Sequence, residues 1–254
     1  MSLEAFRLDG KTALVTGSRR GIGAAIAVAL AQAGADVACH GRSSDSGATC
    51  EQIRSLGRHS AYFAADVTNS SSCSTLFEKA LLEFGHLDIL VNNAGSIRRS
   101  PAAEYSAEFW DEMLAAHLSA IFRLSQLAGR HMLARGAPGK IVNIASLLSF
   151  QGGIRVPGYT AAKAGVAGLT KALANEWAAK RINVNAIAPG YMLTENTTAL
   201  RGDPVRSRQI LDRIPAGRWG EPVDLTGAAI FLCSDASNYV HGHILAVDGG
   251  WLSF

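Results

Sequence analysis

The chain has 254 residues, 48% of them hydrophobic, and a formal net charge of +3. This length supports one large α/β domain or two small ones around a sizeable core, and so weak a charge argues against nucleic acid or an anionic membrane as a partner. No apolar run approaches the roughly 18 residues of a membrane span, and residues 1–11 lack the apolar core of a signal peptide, so we expect a cytoplasmic protein.

Short β-rich runs alternate with helical patterns along the chain. The predicted strands cover residues 12–16, 36–40, 61–65, 87–92, 140–145, 182–188 and 243–247. The predicted helices cover residues 22–33, 72–84, 107–134, 159–180 and 222–234. This alternation, with no dividing linker, predicts an α/β fold in a single domain over residues 1–254. The expected architecture is a doubly wound, parallel, seven-stranded sheet of the Rossmann type with helices on both faces.

A mostly polar and irregular segment, residues 191–217, follows the predicted sixth strand. Doubly wound folds bind their ligands beyond the carboxyl ends of the strands. The segment is therefore predicted to be a lid over a small-molecule substrate. A surface insertion with no such role is the alternative.

A glycine-rich turn, Thr16-Gly17-Ser18-Arg19-Arg20-Gly21-Ile22-Gly23, joins the first predicted strand to the first helix. Glycine allows a tight turn and a close approach to a pyrophosphate, and the helix N-terminus offers unpaired N–H groups. The spacing is G-x-x-x-G-x-G rather than the commoner G-x-G-x-x-G, and such a turn can also exist without a ligand. Its position favours a dinucleotide cradle made by Gly17, Arg19, Arg20, Gly21, Ile22 and Gly23.

The residues after the second strand bear on which dinucleotide is bound. That strand runs into Gly41-Arg42 and carries no carboxylate for a ribose 2′-hydroxyl. Arg42, helped by Arg20, is placed to pair with a 2′-phosphate, which favours NADP(H) over NAD(H). Asp45 would weaken such a site, and both arginines could instead be solvated surface charges.

Three side chains suit proton transfer to a carbonyl oxygen. Tyr159 and Lys163 have the i, i+4 spacing that puts two side chains on one face of a helix. A nearby ammonium lowers the pKa of a phenol, which ordinarily titrates near 10. Ser146, just past the fifth strand, offers a hydroxyl that can polarise a carbonyl, or simply cap the strand end.

Together the glycine turn, Asn92-Asn93-Ala94-Gly95, Ser146, Tyr159-x-x-x-Lys163 and Pro189-Gly190 resemble the short-chain dehydrogenase/reductase family. The resemblance runs from about residue 7 to the C-terminus. It implies an NAD(P)-dependent enzyme acting on CH–OH groups. Tyr159 would be the general acid/base, Lys163 would lower its pKa and bind the nicotinamide ribose, and Ser146 would orient the substrate oxygen. Further implied cofactor contacts are Asp66, Val67, Asn93, Ala94, Gly95, Pro189, Gly190, Met192 and Thr194.

The chain departs from the family pattern at His117, where an asparagine usually holds a water that bonds the lysine. Imidazole can donate and accept a hydrogen bond, so a water relay could survive, weaken or become sensitive to pH. A histidine packed in the core without a relay role is the alternative. The resemblance also implies a homotetramer, with the apolar residues 251–254 at an interface.

Several segments are similar to the sugar-acid branch of this family, which acts on compounds such as 2-deoxy-D-gluconate and 2-dehydro-3-deoxy-D-gluconate. They are residues 96–99, 149–157, 188–194, 214–220 and 246–251. Arg155, Arg98, Arg99 and Gln151 belong to them, and arginine is suited to a substrate carboxylate. Subunit contacts or solvent are the alternatives for these arginines. The branch commonly uses NAD(H), whereas Arg42 favours NADP(H).

Two other functions remain open at this stage. A 3-oxoacyl-acyl-carrier-protein reductase would share these motifs and would need a basic patch, for which Arg201, Arg206, Arg208 and Arg213 are candidates. A non-catalytic nucleotide-binding protein would have lost catalytic residues. No metal site is expected, because His241 and His243 have no cysteine or carboxylate cluster nearby. Unpaired cysteine spacing predicts reduced, mostly buried thiols at Cys39, Cys50, Cys73 and Cys233.

Overall fold

A parallel sheet forms the centre of the computed structural model, which describes residues 3–45 and 47–253. In chain order these residues form β1 (Thr12–Val15), α1 (Gly21–Gln32), β2 (Asp36–Gly41), α2 (Thr49–Ser55), β3 (Ser60–Ala64), α3 (Ser70–Phe84), β4 (Ile89–Asn92), α4 (Ala107–Leu114), α5 (Ala120–Arg135), β5 (Gly139–Ile144), α6 (Pro157–Trp177), β6 (Ile182–Pro189), α7 (Thr198–Gly202), α8 (Pro204–Leu211), α9 (Thr226–Cys233) and β7 (Ile244–Val247).

Among the described residues the strand order is β3-β2-β1-β4-β5-β6-β7, and every pair is parallel. β1, β4, β5 and β6 are buried along their whole length because helices cover both faces. The chain order reverses between β1 and β4, which opens a crevice at their carboxyl ends. The predicted doubly wound α/β fold is confirmed.

A buried polar network fixes β4 against β5 and the helices beside them. The Asn92 amide nitrogen donates to Ser125 Oγ at 3.0 Å and to Asn143 Oδ1 at 2.9 Å. The Asn143 amide in turn donates to Thr170 Oγ1 at 3.0 Å. Buried hydrogen-bonded groups of this kind favour one register, because a shifted strand would leave them unsatisfied. The network therefore holds the two strand ends that carry the candidate site.

The helices differ from the sequence prediction at several points. The predicted helix 107–134 is divided by a π-helical turn at Ala115–Ser119, which contains His117. α6 begins at Pro157, two residues before the predicted start, as expected for a proline in a first helical turn. α2, α7 and α8 were not predicted, and the last two make residues 191–217 partly helical.

The C-terminal segment folds onto its own chain. Trp251 is 4% exposed and packs against Tyr191 at a ring-centroid distance of 4.7 Å. The Arg213 guanidinium lies 4.2 Å from the Trp251 ring centroid. Phe254, the last residue of the predicted interface segment, lies outside the described residues. All four cysteines are buried, and no described helix is long and apolar enough to cross a membrane.

Candidate active site

A cleft of about 860 Å³ lies at the carboxyl ends of β1, β2 and β4. Most residues predicted to bind the cofactor line it: Gly17, Arg19, Arg20, Gly21, Ile22, Gly23, Arg42, Asp66, Val67, Asn93, Ala94, Gly95 and Thr194. Gly190 and Met192 instead line a separate cavity of about 270 Å³ behind Tyr191. Pro189 and Lys163 line neither cavity.

The glycine turn has the shape that a dinucleotide phosphate requires. Gly17 has a φ of 64°, a conformation that side chains disfavour, and a Cβ at Gly23 would overlap the Gly17 carbonyl oxygen. The side chain of Asn93 donates to the carbonyl oxygens of Thr16 at 2.9 Å and Gly17 at 3.1 Å, which ties β4 to the turn. The N-cap residue Arg20 gives no side-chain hydrogen bond to the N-terminus of α1. The turn and the helix N-terminus therefore fit the pyrophosphate of a dinucleotide.

The two arginines predicted to recognise a 2′-phosphate differ in whether they form an ion pair with another described residue. Arg42 is exposed in the cleft at the end of β2, and none of the ion pairs of the described residues involves it. Arg20 forms an ion pair at 2.5 Å with Glu195 in the segment after β6. Asp45, predicted to weaken a phosphate site, is paired with Arg19 and so has a partner for its charge.

Ser146, which follows β5, meets Tyr159 and Lys163, which lie in the first two turns of α6. Ser146 has extended backbone, and its Oγ accepts a hydrogen bond from the Leu148 N–H at 3.2 Å. Tyr159 lies in the first turn of α6 and Lys163 one turn later, with its Nζ 5.5 Å from the Tyr159 ring centroid. Lys163 is 3% exposed, and its Nζ donates to the carbonyl oxygen of Ile144 at 2.5 Å.

Burial and neighbouring groups shift the pKa values of Tyr159 and Lys163. Burial raises the pKa of Tyr159, while a hydrogen bond with Ser146 and the positive charge of Arg99 lower it. Burial lowers the pKa of Lys163 to about 7. Both side chains ordinarily titrate near pH 10, and burial moves their pKa values in opposite directions, because it disfavours the phenolate of Tyr159 and the ammonium of Lys163.

His117 contacts Tyr159 from the π-helical turn. Its ring meets Tyr159 edge to face, with centroids 4.9 Å apart. Nε2 contacts the carbonyl oxygen of Ser96 at 2.5 Å, which fixes the proton on Nε2, and Nδ1 is buried without a hydrogen-bond partner. A Cβ at Gly95 would overlap this imidazole. Burial, and then the charge of Lys163, lower the pKa of His117 to about 3, so the ring is neutral at ordinary pH.

The candidate substrate residues have different surroundings. Arg98 is bound to Glu112, with Nε 2.7 Å from a carboxylate oxygen, and Arg155 is exposed with a φ of 63°. Gln151 is half-buried, and only its backbone N–H has a described bond. Arg99 is half-buried, donates to the Asn196 carbonyl oxygen at 2.9 Å and acts electrostatically on Tyr159. Of these candidates, Arg99 is thus the one whose charge acts on Tyr159.

The four arginines proposed as a basic patch are mostly engaged within the chain. Arg208 pairs with Asp212 at 2.7 Å, and Arg213 stacks on Trp251. Arg201 and Arg206 donate to neighbouring groups on their own helices or at the start of them. Of the four, only Arg208 has an acidic partner among the described residues, so the contacts of the other three position their guanidinium groups without neutralising them.

The sheet is doubly wound, and a glycine turn suited to a dinucleotide lies at its switch point. Ser146, Tyr159 and Lys163 lie next to the end of β5. Together these features define a nicotinamide-dependent oxidoreductase. A family model described as enoyl-(acyl carrier protein) reductase matches residues 17–252. The chain is 54% identical over 253 residues, all of both chains, to the 2-dehydro-3-deoxy-D-gluconate 5-dehydrogenase of Escherichia coli (strain K12).

Solved structures agree with these matches. The chain is similar to an NADP-bound protein of Agrobacterium tumefaciens, with 54% identity, a TM-score of 0.93 and coverage of 98% of this chain and 99% of that one. It is also similar to a gluconate 5-dehydrogenase of Burkholderia cenocepacia J2315 in complex with NADP and tartrate, with 40% identity, a TM-score of 0.95 and coverage of 100% of both chains. The chain belongs to the short-chain dehydrogenase/reductase family, and the resemblance seen in the sequence is confirmed.

Proposed function

We propose that the protein transfers a hydride between NADP(H) and a hydroxyl or keto carbon of a sugar acid, with 2-dehydro-3-deoxy-D-gluconate as the first candidate substrate. Full-length similarity to an enzyme that acts on this compound is the main support. Further support comes from Ser146 after β5 and from Tyr159 and Lys163 in the first two turns of α6, side chains suited to proton transfer.

The proton is handled by Tyr159. In the oxidising direction its phenolate accepts the proton of the substrate hydroxyl, and in the reducing direction its phenol donates that proton to the carbonyl oxygen. The Ser146 hydroxyl donates a hydrogen bond to the same oxygen and thereby stabilises charge that develops on it. Lys163, whose pKa burial lowers to about 7, exchanges a proton with its surroundings near neutral pH.

The dinucleotide would be held by the glycine turn and the segment around Asp66. Gly17, Gly21 and Gly23 leave room for the pyrophosphate, and Asp66 and Val67 line the adenine end of the cleft. When bound, the nicotinamide ring accepts or supplies the hydride. Arg42 would pair with a 2′-phosphate, and the NADP found in similar structures supports that preference.

Arg99 is proposed to bind the substrate carboxylate. It is half-buried, it reaches the neighbourhood of Tyr159, and a guanidinium can pair with a carboxylate through two hydrogen bonds. Arg155 and Gln151 would border the entrance, while Arg98 would be occupied by Glu112.

His117 is proposed to take the place of the asparagine that relatives use. Its Nδ1 is a buried acceptor beside the Tyr159 ring and Lys163, so it can accept a hydrogen bond from a water bound to the lysine. Because its pKa is about 3, it acts as a neutral acceptor rather than as a pH sensor.

The segment 191–217 is proposed to be the lid. Its first residues are tied to both sides of the cleft, by Glu195 to Arg20 and by the Asn196 carbonyl oxygen to Arg99. We further propose a single-domain enzyme that works in the cytoplasm as a homotetramer, as the family resemblance implies.

The decisive experiment supplies NADP⁺ or NAD⁺ with 2-dehydro-3-deoxy-D-gluconate, 2-deoxy-D-gluconate and gluconate, and follows the absorbance of the reduced cofactor. Turnover that is lost in Tyr159→Phe, with cofactor binding retained, would support the proposal. Turnover of an acetoacetyl thioester with NADPH, and of no sugar acid, would refute it in favour of an acyl-thioester reductase.

A further inference from the structure

His40 forms part of the wall of the dinucleotide cleft, at the penultimate position of β2. Its side chain is 2% exposed. It lies between the glycine turn after β1 and the segment after β3. None of the roles assigned above uses this residue.

Both ring nitrogens of His40 contact the backbone of a neighbouring element. The backbone N–H of Gly17 donates to Nδ1 at 3.1 Å, and Nε2 lies 3.0 Å from the carbonyl oxygen of Ala65. A backbone N–H only donates and a carbonyl oxygen only accepts, so Nδ1 carries the lone pair and Nε2 the proton. The neutral imidazole thus joins the glycine turn to the residue before Asp66.

The backbone of His40 also bonds to the glycine turn, but at Ser18 rather than at Gly17. Its N–H donates to Ser18 Oγ at 2.9 Å, and its carbonyl oxygen accepts from the Ser18 N–H at 2.8 Å. Ser18 is thus held by the main chain of β2, whereas Gly17, with its φ of 64°, is held by the imidazole. The ring also contacts the carbonyl oxygen of Ala65, whose N–H donates to the carbonyl oxygen of Gly41 at 3.0 Å.

A protonated His40 cannot keep this arrangement. Both nitrogens would then carry hydrogen, and Nδ1–H would face the Gly17 N–H in a buried site. Burial lowers the pKa of His40, against the hydrogen bond to Ala65 and the negative charge of Asp66. Asp66, after β3, is the charge that acts on His40, and Arg42, just past β2, acts in turn on Asp66. The two arginines of the turn are engaged in the ion pairs described above.

We infer that His40 is a positioning residue for the dinucleotide. Its neutral imidazole holds the glycine turn in register with the adenine end of the cleft, and protonation of the imidazole weakens dinucleotide binding. This inference rests on the proposal that the cleft binds the dinucleotide.

Two conservative variants separate the two contacts. In His40→Asn the side-chain oxygen stands near the position of Nδ1 and can accept from Gly17, but nothing reaches Ala65. In His40→Gln the amide nitrogen stands near the position of Nε2 and can donate to Ala65, while the acceptor for Gly17 is displaced. Neither side chain titrates, so both also remove the proton-linked effect.

The experiment measures the Kd of NADH and NADPH by quenching of tryptophan fluorescence between pH 5.5 and pH 8, with no turnover involved. NADH is included because the 2′-phosphate of NADPH itself titrates near pH 6. At pH 8, His40→Asn should bind within about threefold of wild type and His40→Gln about tenfold more weakly, the usual effect of one buried hydrogen bond. Below the pKa of His40, the wild-type Kd should rise by up to about tenfold per pH unit, and the Kd of both variants should stay nearly flat.

Equal pH dependence of NADH binding in wild type and in either folded variant would overturn the inference, even though the cleft bound the dinucleotide. Equal affinity of His40→Asn and His40→Gln at pH 8 would refute the role of the Gly17 contact. Failure of the wild type to bind either dinucleotide at pH 8 would instead overturn the proposed function. Circular dichroism and thermal melts of each variant establish that the compared proteins are folded.

Discussion

Arg99 and Arg98 are neighbours in sequence but have different partners. Arg98 donates through Nε and Nη2 to the two carboxylate oxygens of Glu112, and its guanidinium lies 5.3 Å from the Phe109 ring centroid. Arg99 instead faces Tyr159 and Asn196. In an irregular loop the sequence has no periodicity that would reveal which of two adjacent side chains faces a site. The sequence could therefore predict an arginine for the substrate carboxylate, but it could not select Arg99.

Replacing Arg99 with alanine should weaken substrate binding selectively. A charge-assisted pair with a carboxylate contributes about 1.5–3 kcal/mol, so KM for a sugar acid should rise by at least about tenfold while the Kd of NADPH changes little. Steady-state kinetics and a fluorescence titration measure the two quantities. Arg98→Ala is the matched control, and an equal rise of KM in both variants would exclude a specific role for Arg99.

The choice of cofactor should depend on Arg42 more than on Arg20. Arg42 is exposed in the cleft and Arg20 is held by Glu195, so only Arg42 is free to meet a 2′-phosphate. Arg42→Ala should lower the ratio of kcat/KM for NADP⁺ to that for NAD⁺ by about tenfold, with a smaller change in Arg20→Ala. The ratio is measured with one substrate at one ionic strength. An unchanged ratio in Arg42→Ala would show that Arg42 does not cause a preference for NADP⁺.

The sequence predicts best those strands and helices whose cause lies in their own residues. β4 and β6 lie within two residues of their predicted bounds, because continuous apolar runs are typical of strands buried on both faces. The π-helical turn at Ala115–Ser119 was missed because its sequence is compatible with an ordinary helix. The extra residue in that turn depends on distant partners, Gly95 and Tyr159, which the His117 ring contacts. Insertions of this kind often lie at functional sites.

Packing between the loop after β4 and the π-helical turn should be sensitive to one methyl group. Gly95→Ala places a Cβ against the His117 imidazole and should destabilise the fold by about 1–3 kcal/mol or displace the ring from Tyr159. Denaturant unfolding and kcat measure the two effects. Gly95→Ala combined with His117→Asn should recover part of the loss, because the smaller side chain makes room.

Gly227 is the matched control for that substitution. A Cβ added there meets nothing within 4 Å, and the residue is exposed in α9. Gly227→Ala should leave stability unchanged or raise it by less than about 1 kcal/mol, since alanine favours helix over glycine. If Gly95→Ala were as harmless as Gly227→Ala, the tight contact with His117 would be disproved.

His40 and His117 are buried as neutral side chains, so the free energy of unfolding of the whole molecule depends on pH. Burial lowers the pKa of His40, and burial with the charge of Lys163 lowers that of His117 to about 3, whereas an unfolded histidine titrates near 6.5. A lowered histidine pKa means that the unfolded chain binds more protons below that value. The stabilisation is therefore complete above about pH 6.5 and is lost as the pH falls towards the folded-state pKa.

The free energy of unfolding should accordingly decrease between pH 7 and pH 5. Each buried histidine contributes a slope of up to about 1.4 kcal/mol per pH unit, and His117→Asn should reduce the total slope by about one such contribution. Urea titrations at several pH values give the slope. An identical slope in wild type and His117→Asn would show that this ring does not stay neutral in the folded protein.

Because all four cysteines are buried, the reactivity of each thiol reports local opening of the fold around it. Cys39 and Cys50 lie in the layer that packs α1 against the sheet, Cys73 lies on the opposite face and Cys233 is at the end of α9. An aqueous thiol reagent cannot reach any of them in the closed fold. The rate at which each thiol reacts thus measures how often its own layer opens, so the two faces of the sheet can be timed separately without introducing a probe.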